Sequence, residues 1–298
     1  MKKYSKLLLL FRNPAVRKEL ERLDPVHDHQ RMVQLLAGYE FPFDMVRALE
    51  LALFHTYASP SISSLLQKTG EFVKRGQKRY DDTSILIAQF MQEGYDSELG
   101  RRAIDRMNKI HGHYVIPNED YLLVLATFVI YPIDWMEKYG WRKMTANEKQ
   151  ALFLFFREVG KRMNLTDIPD TLAELRAFAE RYENRHFRYT ESNRAIAEAT
   201  VRIVENWFPK PLRPVVKPVF AALINEKLRE AFGYKKPASA FCVLIEGSLR
   251  VRKWPLKFIT FKPYPTLVGN THWRTYPKHE FTLETLGPPS LNRKAPKQ

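Results

Sequence analysis

Cysteine is nearly absent: Cys242 is the only one among 298 residues. An intramolecular disulfide is therefore impossible and thiolate-rich zinc or iron–sulfur sites are excluded, so a reducing intracellular compartment is the expected setting. Long apolar runs are missing as well. The run at 7–11 has five residues and the run at 122–133 about a dozen, against roughly 20 for a helix that crosses a bilayer. The expectation is a protein without a transmembrane helix, cytoplasmic or peripherally bound to a membrane. There is no internal repeat, no glycine-rich phosphate loop and no recognisable nucleic-acid motif.

Acidic residues are also in short supply. Asp and Glu number 33 against 48 Lys and Arg, a formal charge of +15 with a pI near 9.7. Such an excess calls for an anionic partner. Because the cations are spread through amphipathic helices rather than gathered in a nucleic-acid motif, an anionic membrane surface is the expected partner and no nucleic acid is. A hydrophobic fraction of 45% over this length supports a real core.

Apolar spacing of three and four runs through most of the chain and predicts an all-α fold. Helices are expected on both sides of Asp24 and Pro25, after Phe41-Pro42 with Asp44 as cap, and from Ser61 onward once Pro60 ends the preceding one. The 122–133 run, polar only at Thr127, reads as a central core helix. Thr145 with Glu148, and Thr171 with Glu174, match the capping box. Thr190 opens a helix toward Trp207; further helices are expected from Val215 to a stop at Gly233 and from Ala238 to about Lys253. The intervening stretch 207–218 reads as a rigid connector or as a lipid-headgroup contact. After Trp254 the prolines multiply and the helical period is lost. The expected organisation is a single helical domain over 1–254 and an extended, basic, Pro/aromatic-rich tail over 255–298, whose early part, with Phe258, Phe261 and Tyr264, packs on the core or touches a membrane, and whose end from Pro288 is disordered.

The chemistry concentrates at 81–113, read as two helices joined at Gly94. On the second, Gly100, Ala103, Ile104, Met107 and His111 share the apolar face. An inward imidazole is either a hydrogen-bonded core residue or a metal or haem ligand. His113 is the nearest competitor for the ligand role, His55 is a third candidate that reads rather as a core histidine, and the His27, Asp28, His29 cluster has a spacing that splits its histidines between helix faces. Arg79 and Thr83, four residues apart, lie on one face and can present a guanidinium and a hydroxyl to a bound anion or oxygen species. Alternatively, Arg79 pairs with Asp81 or Asp82 on a solvated surface.

The order Arg79-x-x-x-Thr83, Gly94, Arg106-x-x-x-Ile110-His111 and the 121–127 helix from Tyr121 to Thr127 resembles the haem b oxygenase family of latex-clearing protein and the MpaB-type ER-bound oxygenase. The likeness continues through Trp141-Arg142, Glu158-Val-Gly160 and Asp167-Ile-Pro169. It implies an all-α domain enclosing haem b, with His111 as the iron ligand and Met107 and Arg106 beside it. Arg79, Thr83 and Asp82 would then lie on the oxygen side as catalytic candidates, with dioxygen and an apolar small-molecule substrate as reactants. Latex-clearing members carry lysine directly before the threonine; this chain has Asp82, so distal lysine ligation does not carry over, and Asp82, or less directly Glu71, becomes the candidate base. The implied activity is oxidative cleavage of a C=C bond in an isoprenoid or lipid-like chain. The competing reading is a non-catalytic lipid- or hydrophobe-binding protein docking on anionic membranes, which does not need His111.

Overall fold

Side-chain caps start many of the helices in the computed structural model, which describes residues 14–259, 267–269 and 271–291. Helices α1 (Pro14–Arg22) and α2 (His29–Leu35) flank a turn in which Asp24 accepts the Val26 and His27 amides. A π turn, Leu36–Glu40, leads into α3 (Pro42–Thr56). Pro42 sits at the first position of α3, where its missing N–H costs nothing. Asp44 is not the cap expected of it: its buried carboxylate accepts from Trp135 Nε1 at 2.8 Å and from Arg252. Pro60 likewise opens α4 (Pro60–Thr69) rather than ending α3. Gly70, at φ 68°, separates α4 from α5 (Glu71–Glu93), so the expected single helix from Ser61 is two. Helix α5 is bent early, at Arg75 (φ −144°, ψ 41°).

Gly94, at φ 84°, turns the chain into α6 (Glu98–His111), capped by Ser97 Oγ on the Gly100 amide at 2.9 Å. A Cβ at Gly100 would collide with the Gly94 carbonyl, which is why α5 and α6 close so tightly. Helix α7 (Asn118–Tyr139) is the central helix, with Leu122, Leu123, Ala126, Val129 and Ile133 buried. Both capping boxes form, at the starts of α8 (Ala146–Arg162) and α9 (Leu172–His186), each contributing about 1 kcal/mol. Thr190 caps α10 (Glu191–Glu205). The expected 215–232 helix is divided: α11 (Arg213–Leu223) stops, and Asn225 accepts the Leu228 amide to cap α12 (Glu226–Phe232), which ends at Gly233 with φ 65°. Helices α13 (Ser239–Val251) and α14 (Lys253–Leu256) follow.

The fold is a single all-α domain. Helix α3 lies along α7, α5 against α6, α2 against α8, and α10 against α4 and α5. The main core centres on α2, α3, α5, α7 and α8; a second apolar cluster gathers Phe54, Ile196, Ala197, Leu228 and Phe232. Burying each large side chain contributes about 1.5–3 kcal/mol. Arg142 joins buried Glu40 and Glu148 at 2.8 and 2.7 Å and so ties the α7–α8 turn to the end of the π turn.

The C-terminal segment folds back on the helices. Leu267, Trp273, Leu283 and Leu286 are buried in the main core, and 289–291 form a short 3-10 turn. The 7–11 run, Phe261, Tyr264 and residues 292–298 lie outside the described residues. No described helix is long and apolar enough to cross a membrane.

Candidate functional site

Helices α3, α5, α6, α7 and α8 surround a cavity of about 540 Å³ whose wall includes Arg79, Thr83, Met107, His111, Leu125 and Phe156. That size lies within the range of small-molecule and cofactor sites. The α5–α6 turn is what brings Arg79 and His111 together, because it folds the two helices antiparallel on one side of the cavity.

His111 occupies the last turn of α6, with its ring edge-to-face on Tyr121 at 5.4 Å. Its Nδ1 is buried without a hydrogen-bond partner. Removal from water first, and the Arg79 charge second, push its pKa down from 6.5 to about 4. The imidazole is therefore neutral at physiological pH, the form that ligates metals.

Arg79 stacks on Phe72, its guanidinium carbon 4.9 Å from the ring centre. Its Nε is buried and unpartnered. Neither neighbouring carboxylate serves it. Asp81 accepts from Gln77 at 3.0 Å and the Thr275 amide at 2.7 Å. Asp82 accepts from Lys78, from Tyr276 at 2.7 Å and from the Gly287 amide at 2.7 Å. In place of a surface Arg79–Asp pair, Arg79 lies at the cavity with no ion pair among the described residues, and the two buried carboxylates are turned to the C-terminal segment. The same cation acts on Tyr57, whose hydroxyl burial pushes up to about 12 against the opposing pull of Arg79.

Thr83 and Met107 border the cavity beside these groups. Arg106 does not: it is buried under the C-terminal segment and donates from Nε to the Leu286 carbonyl at 2.7 Å. Glu71 is on the wall, its carboxylate held by Arg75 Nε at 2.8 Å. The competing histidines fall elsewhere. His113 is exposed, bonded to the Lys109 carbonyl at 2.7 Å. His55 is a core residue joined to Tyr131 at 2.7 Å and lies 3.0 Å from Glu183. His29 binds Tyr95 and the Val26 carbonyl, and among the described residues no cluster of three or more His, Cys, Asp or Glu is placed to hold a metal ion.

Sequence reasoning missed part of the wall. Phe72 and Tyr57 carry no motif, and Trp273, Gly287 and Pro288 come from the segment expected to be extended. Their only sequence signal is apolar and aromatic content in a stretch without helical period.

Residues 45–250 match the sequence profile of the family described as ER-bound oxygenase mpaB/B'/rubber oxygenase, catalytic domain. The chain is 27% identical over 243 residues to the ER-bound oxygenase mpaB' of Penicillium brevicompactum, covering 76% of this chain and 57% of that protein. It is 29% identical over 216 residues to the ER-bound oxygenase mpaB of Penicillium roqueforti (strain FM164), covering 66% and 72%. Against the mpaB of Penicillium brevicompactum it is 29% identical over 208 residues, 63% of this chain and 53% of the relative. The match thus spans little more than half of two of these relatives. With a matched region extending from within α3 to the end of α13, and with the site's helices inside it, the chain belongs to the mpaB/rubber oxygenase catalytic-domain family.

Proposed function

We propose that the protein is a haem b-dependent oxygenase that cleaves a carbon–carbon double bond of an apolar, isoprenoid or lipid-like substrate. The observation that carries this reading is His111, a neutral imidazole on the cavity wall, set beside the unpaired Arg79. The donor set fits haem: one neutral nitrogen ligand, a cavity of cofactor size with a largely apolar wall, and a fixed cation with no carboxylate of its own. Bound at His111, haem b would supply the dioxygen chemistry that no side chain here supplies.

The chain's own groups do the remaining work. Met107 would pack beside the cofactor, one turn before His111. Arg79 holds a positive charge on the cavity wall, with its Nε buried and its guanidinium stacked on Phe72. Thr83 contributes a hydroxyl that can donate or accept. Leu86, Phe90, Leu125, Phe128 and Phe156 give the substrate an apolar, water-poor surface. Asp82, three times hydrogen-bonded, acts in this reading as a positioning residue rather than as the base. Adding one dioxygen across a C=C bond and breaking that bond gives two carbonyl products, so the balance needs no external electron donor.

The charge of +15 and the ER-bound relatives further support peripheral association with an anionic membrane. The test of the cofactor is the visible spectrum of the purified protein, oxidised and dithionite-reduced, beside His111→Ala. A haem spectrum that the substitution removes or shifts is the expected result. A protein that takes up no haem after reconstitution would overturn the reading.

A further inference from the structure

Helix α13 packs on α11 and α7, yet none of its residues is fully buried. Its outer side carries Val243, Gly247, Val251, Trp254 and Phe258 at helical spacing, with Leu244 next to the first. The side chains are 71% (Val243), 65% (Leu244), 72% (Val251), 70% (Trp254) and 59% (Phe258) exposed. A Cβ at Gly247 would meet nothing within 4 Å. Arg252 and Lys257 keep right-handed helical backbone, so the stripe continues unbroken through α14. Trp254 and Phe258 meet edge-to-face at 6.2 Å. Contiguous exposed apolar surface of this kind marks an interaction site.

Its charge says with what. Beside the stripe, a cleft of about 380 Å³ is lined by Lys143, Arg250, Lys253, Trp254 and Lys257, with Glu137 the carboxylate on its wall. Glu137 is taken by Lys143 and Lys149. Among the described residues Lys253 and Lys257 have no ion-pair partner. Partial burial first, then Arg250 and Lys143, push the Lys253 ammonium below its ordinary pKa, against the opposing pull of Asp44 and Glu137. A second copy is a poor occupant, because a two-fold contact through this face would set the lysines of one protomer against those of the other.

We propose that the 243–258 face docks on an anionic phospholipid bilayer, the apolar stripe entering the interfacial region while Lys253 and Lys257 meet headgroup phosphates. Trp254 and Phe258 sit where aromatic rings favour the interface, and lysines flanking an apolar stripe are the pattern of an in-plane helix. The inference rests on the peripheral association proposed above and names its surface.

The test is co-sedimentation of the intact protein with vesicles of phosphatidylcholine alone and of phosphatidylcholine with phosphatidylserine. Binding to the anionic vesicles should exceed binding to the neutral ones and weaken as salt is raised. Lys253→Ala and Lys257→Ala should each lower partitioning about fivefold. Leu244→Ser and Trp254→Ser should lower it without altering the far-ultraviolet spectrum, while Val115→Ser, in the loop between α6 and α7, should leave it unchanged. No binding to either vesicle would overturn membrane association itself. Binding that survives all four substitutions would overturn this surface alone. A dimer broken by Leu244→Ser in a protein that ignores vesicles would assign the face to a second copy and overturn the proposal.

Discussion

The Asp82 carboxylate accepts the Gly287 amide at 2.7 Å, joining residues 205 positions apart. Lys78 and Tyr276 complete its shell, and Arg106 holds the carbonyl of Leu286 next door. One face of α5 and one of α6 thereby bind the C-terminal segment, which in turn closes part of the cavity wall. Asp82→Ala leaves the Gly287 amide and the Tyr276 hydroxyl without their acceptor and should cost about 1–3 kcal/mol. The checks are the denaturant midpoint and limited proteolysis, with new cleavage within 271–291 before the helices are cut.

Among the described residues Arg79 forms no ion pair with a carboxylate, and its Nε is buried without a hydrogen-bond partner. Replacing it with a side chain of similar length, Arg79→Met, should change the stability of the haem-free protein by no more than about 1 kcal/mol, because the residue as a whole is only half-buried. The same change should weaken retention of haem. It should also raise the His111 pKa from about 4, though not to 6.5, because burial is the larger cause of the shift. Imidazole NMR titration and urea unfolding of the same variant measure both.

In the haem-free protein, the depressed His111 pKa links stability to pH. The unfolded chain binds a proton near pH 6.5 and the folded one only near pH 4, so stability is intact above 6.5 and falls as pH drops from 6.5 to 4. The loss attributable to this ring reaches about 3 kcal/mol. His111→Phe should abolish that component, making the wild-type and variant stability curves diverge below pH 6.5 in parallel urea titrations.

Gly160 lies on the cavity wall where α8 faces α7. A Cβ there would run into Leu125 Cδ1 and lie 3.1 Å from Ile168 Cδ1. Gly160→Val should destabilise by about 1–3 kcal/mol and narrow the cavity. Thermal unfolding checks the first effect; reduced uptake of an apolar fluorescent probe checks the second.

Much of this was legible in the residues. Helical period, the caps at Thr145, Thr171 and Thr190, and the glycine turn at Gly94 depend on contacts within a few positions, which a sequence carries openly. His111 could be assigned to an inward face for the same reason. Breaks were harder: Gly70 and Asn225 divide stretches whose apolar period runs on across them, and a cap residue competes with a continuing helix on energies of about 1 kcal/mol. The 267–291 segment was harder still, because no period announces a chain that is held through its backbone amides and carbonyls.

The sequence by itself therefore determined the all-α class, the position of His111 and the excess positive charge, all products of local spacing and composition. Only the tertiary structure decided what faces what. It left Arg79 at the cavity with no ion pair among the described residues, turned Asp81 and Asp82 to the returning segment and left His113 in solvent. Those outcomes follow from burial and hydrogen bonding between residues as far apart as Asp82 and Gly287, where the partner of a charge is set by packing rather than by its neighbours in the chain.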